Sequence, residues 1–224
     1  IQLSKNNIGL TLIVGSRFSK SGFGDDARKG GYVLFLAPSI ALVEQTLRSW
    51  LEDSDIPLRP FAVTSDATVG RDEEASDKTT ILFMPPTTDA HELYESAKHP
   101  DPERMTVIVA TYHSIDVVGE AQKMGLPKFD LIIADEAHRT TGVMKEHDKE
   151  SASYYLKMHD DQNVLSARRL YMTATPRVFV PRLKDRVKEL GYEPYSMDNE
   201  EIYGEEFFRY GFGQAVDEGY LSDY

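Results

Sequence analysis

Residues 32–36 read Tyr-Val-Leu-Phe-Leu, an almost uninterrupted apolar run of the length expected for a strand buried on both faces of a parallel sheet. Ala37, Pro38 and Ser39 stop it. Ile40, Leu42, Val43, Leu47 and Trp50 then recur at roughly helical period, with Ser39 placed to cap the helix. Residues 54–60 turn the chain into a second short strand at 61–63. From 65 to 78 the sequence SDATVGRDEEASDK has little to bury and predicts a surface loop or poorly ordered excursion. Beyond it, the pattern predicts a strand at 80–83 and a helix at 89–97 begun under Thr87, Thr88 or Asp89. A central strand at 107–110 follows, then a helix at 115–124 ended by Gly125 and Pro127, and an apolar strand at 129–134. Residues 143–163, polar and mixed in charge, predict a helix and loop on the surface. Residues 169–172 predict one more short strand, which ends in Thr-Ala-Thr-Pro. Strands alternating with amphipathic segments favour an α/β fold with a mostly parallel sheet covered by helices on both sides.

The 224 residues suffice for one α/β domain with a partial second element. A formal charge of −12 argues against coating nucleic acid or an anionic membrane through the overall field, but leaves a local basic groove open. With no cysteine, disulfides, Cys-ligated zinc or iron–sulfur clusters and Cys nucleophiles are excluded. The sequence has no apolar run of about 18 residues and no secretory leader pattern, so a cytoplasmic location and no membrane partner are expected.

The chemistry concentrates after the strand at 129–134. Asp135 and Glu136 follow it immediately, and the carboxyl ends of strands in open α/β sheets line the ligand crevice. Two carboxylates there suit a bound cation better than packing. In a nucleotide hydrolase Asp135 would hold the Mg²⁺ that bridges the β- and γ-phosphates, and Glu136 would polarise the attacking water. His138 either couples that site to another element or is a partly buried hydrogen-bonding residue. Thr173 and Thr175 terminate another strand about 35 residues on, room for one crossover, and their hydroxyls are expected to approach the same crevice and bond His138.

These residues resemble a family. DEAH at 135–138 and TAT at 173–175 look like motifs II and III of superfamily 2 helicases and translocases, APSIALVEQTLRSW from Ala37 looks like motif Ia, and VIVATYHSIDVV from Val107 looks like the TxxS-containing motif. More narrowly, DEAHRTTG, the stretch with Ser65, Asp66, Gly70 and Arg71, TTD at 87–89, YMTATPR at 171–177 and the chain from Tyr195 to Tyr224 resemble the translocase part of single-polypeptide, type ISP restriction-modification enzymes. The resemblance covers roughly residues 31–224. It implies a RecA-like domain of the P-loop NTPase type, the first of two in an ATP- and Mg²⁺-dependent motor on double-stranded DNA. It also implies nuclease and methyltransferase domains in the same polypeptide. By motif, Asp135, Glu136 and His138 would be catalytic, with Asp135 on Mg²⁺ and Thr173 and Thr175 at the nucleotide. Pro38, Ser39, Gln45, Thr111 and Ser114 would lie near DNA, through hydroxyls and backbone N–H groups that need no basic composition. Arg139 would lie in a loop near the inter-domain cleft, or form a surface salt bridge.

The N-terminus departs from the pattern. Such motors need GxxxxGK[ST], whose N–H groups wrap the phosphates. The nearest candidate, IVGSRFSKSG at 13–22, offers Lys20 and Ser21 but has Ser19 and Val14 where glycines belong. The expected organisation is therefore an atypical segment at 1–30 with the phosphate loop missing, a RecA-like domain at 31–196, and an acidic, aromatic stretch at 197–224. That last stretch carries eight acidic residues and one arginine beside Tyr203, Phe208, Tyr210 and Phe212. It either packs back on the core or begins a truncated second RecA-like domain, and the second reading avoids leaving aromatics unburied. On these residues alone no turnover is expected. The competing function is an ATPase-inactive RecA-like module that binds DNA or protein. Another P-loop hydrolase, such as a kinase, is disfavoured by the joint presence of DEAH and TAT.

Overall fold

The computed structural model describes residues 30–64, 86–145, 153–206 and 208–219. The expected strand at 80–83, the polar excursion at 65–78, and the loop candidate with Lys20 and Ser21 lie outside the described residues. So do Phe207 and the last five residues.

Five parallel strands form the main sheet in the order β2-β3-β1-β4-β6: β1 Tyr32–Ala37, β2 Leu58–Val63, β3 Met105–Thr111, β4 Leu131–Ala134 and β6 Arg169–Tyr171. The apolar runs dictate this arrangement. β1 is buried at every position, between β3 with Ala37 opposite Thr111 and β4 with Leu36 opposite Ala134. Alternate side chains go to opposite faces. Leu34, Leu36, Ile108 and Ile132 pack on one face, and Val33, Phe35, Val107 and Ile133 on the other. Burying each such side chain contributes about 1.5–3 kcal/mol, so a strand with no polar face is stable only under helices on both sides.

Helix α1 (Ile40–Asp53) covers one face with Val43, Leu47 and Trp50, and the Trp50 ring meets Phe35 edge-on at 5.5 Å. On the other face lie α2 (Ala90–Ala97), capped by Asp89 through the Glu92 amide at 2.8 Å, and α3 (Ile115–Met124). The expected stop of α3 at Gly125 is observed, with φ 117, a left-handed cap that only glycine adopts cheaply. The sheet class and its flanking helices thus agree with the pattern of the sequence.

Between β4 and β6 the chain differs from a surface helix and loop. Residues Gly142–Lys145 form β5, paired antiparallel with β7 (Tyr192–Tyr195), and the one-turn helix α4 (Tyr154–Lys157) leads into a segment anchored by buried Leu156, Met158 and Val164. Isolated apolar residues in a polar stretch anchor it without leaving a period to read. Helix α5 (Pro181–Glu189), which the pattern did not suggest, buries none of its residues. Next come α6 (Glu200–Tyr203) and α7 (Phe212–Asp217). Within residues 197–224, Met197 packs against the core, the Tyr203 ring meets Tyr171 and Ala215 is buried, while Phe208 stays 52% exposed beside Tyr210. Among the described residues no helix is long and apolar enough to cross a membrane.

Candidate active site at the carboxyl edge of the sheet

Strand β4 ends where the sheet is still paired: the Asp135 amide donates to the Leu36 carbonyl at 3.0 Å. The chain then reverses at Glu136, which has φ 49 and ψ 46 and is the one non-glycine residue with positive φ among those described. That conformation costs on the order of 1 kcal/mol for a residue with a Cβ. Neighbours hold it in place. Asp135 Oδ1 accepts from the Glu136 amide at 2.9 Å, and the Ala137 amide donates to the Met172 carbonyl at 2.8 Å, which ties the turn to the end of β6. Residues Ala137–Thr140 form a single 3-10 turn. From the β3 side, the Tyr112 hydroxyl donates to the Asp135 carbonyl at 2.7 Å.

His138 Nδ1 lies 3.0 Å from Thr173 Oγ1, 3.2 Å from Thr175 Oγ1 and 3.2 Å from Glu136 Oε2. One ring nitrogen carries at most one proton, so these three oxygens are alternative partners rather than simultaneous acceptors. The Thr175 amide also donates to Thr173 Oγ1 at 3.1 Å. The structure therefore unites Asp135, Glu136, His138, Thr173 and Thr175 at the carboxyl ends of β4 and β6, and the expected hydroxyl–imidazole contact is present.

Among the described residues, His138 is the basic side chain that reaches this acidic edge, at Glu136. Burial raises the Asp135 carboxyl above the usual range, and the neighbouring Glu136 charge raises it further, against the lowering effect of the Glu136 amide. Among the described residues no lysine or arginine pairs with either carboxylate. A divalent cation would relieve both effects, and one or two carboxylates completed by water and phosphate oxygens are the donor set Mg²⁺ prefers. The residues present fit that ion, although no cluster of three metal-ligating side chains occurs among those described.

Thr111 ends β3 and Ser39 follows the end of the adjacent strand β1 by two residues, so the candidate nucleic-acid contacts share this edge. They differ in access. Ser39 is exposed and caps α1 through the Leu42 amide at 3.4 Å, with Pro38 partly exposed beside it. Gln45 lies on the exposed face of α1, about 9 Å along the helix from that cap. Thr111 and Ser114, in contrast, are 3% and 1% exposed, and their hydroxyls share a hydrogen bond of 2.8 Å. Their side chains shape the turn that presents exposed His113, whose ring contacts those of Tyr154 and Tyr155. Arg139 is exposed with Nη1 3.4 Å from the Tyr155 hydroxyl, and no salt bridge to it occurs among the described residues.

Sequence reasoning missed Tyr112, His159 and Tyr203. Tyr112 directly follows a buried strand, a position that signals contact with the neighbouring strand end. His159 and Tyr203 reach Thr140 from 19 and 63 residues away and carry no local signal.

A region of 201 residues, 87% of this chain, is 27% identical to a probable helicase of African swine fever virus (isolate Pig/Kenya/KEN-50/1950) and spans 18% of that protein. Among solved structures, a nuclease-deletion mutant of the Type ISP restriction-modification enzyme LlaGI in complex with a DNA substrate mimic matches 86% of this chain at 38% identity and TM-score 0.63. The ATP-dependent Type ISP enzyme LlaBIII bound to DNA matches 87% at 42% identity and TM-score 0.62. The chain spans 16% and 13% of those two polypeptides. Their likeness makes the five-stranded sheet a helicase-type RecA-like domain. Residues 25–178 match the family described as "Type III restriction enzyme, res subunit", and the chain belongs to that family.

Proposed function

We propose that this chain is the first RecA-like domain of an ATP-driven DNA translocase in a restriction-modification polypeptide, a DEAH-type motor of superfamily 2. The observation that carries the reading is the junction of Asp135 and Glu136 at the end of β4 with His138, itself bonded to Thr173 and Thr175 at the end of β6. Asp135 holds the Mg²⁺ of Mg-ATP. That ion would supply positive charge against the negative charge that develops as the terminal phosphoryl group leaves.

Glu136, held out of line by its left-handed backbone, orients the water and takes up its proton. His138 Nδ1 lies within reach of that carboxylate and of the threonines and can exchange one partner for the other, so displacement of the β6 end is felt at the hydrolytic residue. Phosphate contacts from Ser39 and Gln45, with Pro38 shaping the turn before them, hold the DNA backbone, while Thr111 and Ser114 set the turn beside them. Residues 197–224 lead into the second RecA-like domain. Nuclease and methyltransferase domains belong to the same polypeptide, and a phosphate-binding lysine, for which Lys20 is the nearest candidate, completes the nucleotide site.

The test is Glu136→Gln in the full-length polypeptide. Loss of DNA-stimulated ATP hydrolysis with ATP binding retained supports the reading. Undiminished hydrolysis, or DNA binding indifferent to ATP and without turnover in the parent, refutes it and favours an inactive binding module.

A further inference from the structure

The acidic turn is fastened at both ends. Tyr112 holds its start at the Asp135 carbonyl. Its end, Thr140, is fully buried and is held from outside the sheet. The Thr140 carbonyl accepts from the Tyr203 hydroxyl at 2.8 Å and lies 3.1 Å from His159 Nε2, and the Tyr203 hydroxyl also stands 3.2 Å from Thr140 Oγ1. His159 is fixed in turn by the Tyr171 hydroxyl, 2.9 Å from Nδ1. With Nδ1 accepting from that hydroxyl, Nε2 carries the proton and donates to Thr140. The Tyr203 ring packs against Tyr171 at 4.9 Å and His159 at 5.1 Å.

Packing alone does not account for this arrangement, because a phenylalanine would fill the same space. Two donors instead converge on one carbonyl at the end of the four-residue turn that follows Glu136. Tyr203 also closes α6, and the chain then runs on through Gly204 into the acidic, aromatic segment. Thus the residue that closes α6, within the acidic, aromatic stretch, is bonded to the turn that follows Glu136 and carries His138.

We propose that Tyr203, acting on Thr140 together with His159, is a positioning residue for ATP hydrolysis, and that its docking couples the segment after residue 203 to the orientation of Glu136. The proposal rests on the motor reading above. With Tyr203 seated, Thr140 is held and Glu136 keeps its left-handed geometry. With Tyr203 withdrawn, the turn loses one of the two donors at its end and Glu136 loses alignment without losing its chemistry. A movement of the following segment thereby sets the hydrolytic rate.

The experiment compares the full-length polypeptide with its Tyr203→Phe, Glu136→Gln and Tyr192→Phe variants, the last an exposed tyrosine outside the network. Tyr203→Phe is expected to lower kcat for DNA-stimulated ATP hydrolysis about five-fold, the worth of one hydrogen bond, with KM for ATP and DNA affinity unchanged. Hydrogen exchange should rise over residues 136–141 but not over 32–37, and Tyr192→Phe should match the parent. An unchanged kcat in Tyr203→Phe overturns the proposal while Glu136→Gln still abolishes hydrolysis. Equal rises in exchange at both segments assign Tyr203 to the stability of the whole domain and also overturn it. Hydrolysis that survives Glu136→Gln overturns the motor reading, and this inference with it.

Discussion

His159 makes the domain's stability depend on pH with a sign and size that follow from its surroundings. Rings of Tyr171, Tyr195 and Tyr203 enclose the imidazole at centroid distances of 5.5, 5.0 and 5.1 Å. Burial lowers its pKa from 6.5 to about 4, with the nearby Arg169 acting in the same direction and the Thr140 carbonyl opposing. Because the folded value is depressed, the unfolded chain takes up the proton first. The stabilisation is complete above pH 6.5 and is lost progressively as pH falls through the window toward 4. At pH 5 the loss is on the order of 2 kcal/mol relative to neutral pH. His159→Gln, which keeps a neutral donor and acceptor but does not titrate, is less stable than the parent at pH 7.5. That gap should shrink by about 2 kcal/mol at pH 5 in urea unfolding. The other five histidines cancel in the difference between the two proteins. A gap that stays constant from pH 7.5 to pH 5 would refute a neutral, enclosed His159.

Gly119 sits in α3 where an added Cβ would stand 2.3 Å from the Asn163 carbonyl oxygen. Gly119→Ala, stabilising by about 1 kcal/mol in an open helix, should here destabilise by about 1–3 kcal/mol. A lowered urea midpoint at unchanged slope checks it, and a raised midpoint would contradict the close approach. Thr173→Val keeps the side-chain shape but removes the hydroxyl shared by His138 and the Thr175 amide. It should reduce DNA-stimulated ATP turnover about five- to ten-fold with ATP affinity retained, and turnover equal to the parent's would show that the His138 link carries no coupling.

The parts of the fold legible in the sequence are those with one dominant physical cause. Residues 32–36 and 107–110 had to be central strands because no polar face interrupts them, and α3 had to stop where Gly125 permits a left-handed cap. Asp135 and Glu136 stood out for a related reason: paired acids directly after a buried strand are costly without a counter-charge, and the raised Asp135 pKa expresses that cost. Other parts depended on distant partners. β5 pairs with β7 some 50 residues later, and Leu156 and Met158 anchor a polar stretch as single side chains. Thr111 and Ser114 read as surface hydroxyls, yet each is the other's hydrogen-bond partner in the core. Tyr203 lies in a segment whose acidic composition masks its inward-facing ring. Its role emerges only when Thr140 and His159 are seen beside it.

The central claim is that the carboxylates after β4 perform Mg-dependent ATP hydrolysis. The most direct measurement is single-turnover ATP hydrolysis by the full-length polypeptide on DNA, parent against Glu136→Gln, with nucleotide binding measured in parallel. The account predicts a fall of at least about 100-fold in the hydrolytic rate, the scale of a lost general base, at unchanged ATP affinity. Equal rates in the two proteins would contradict it.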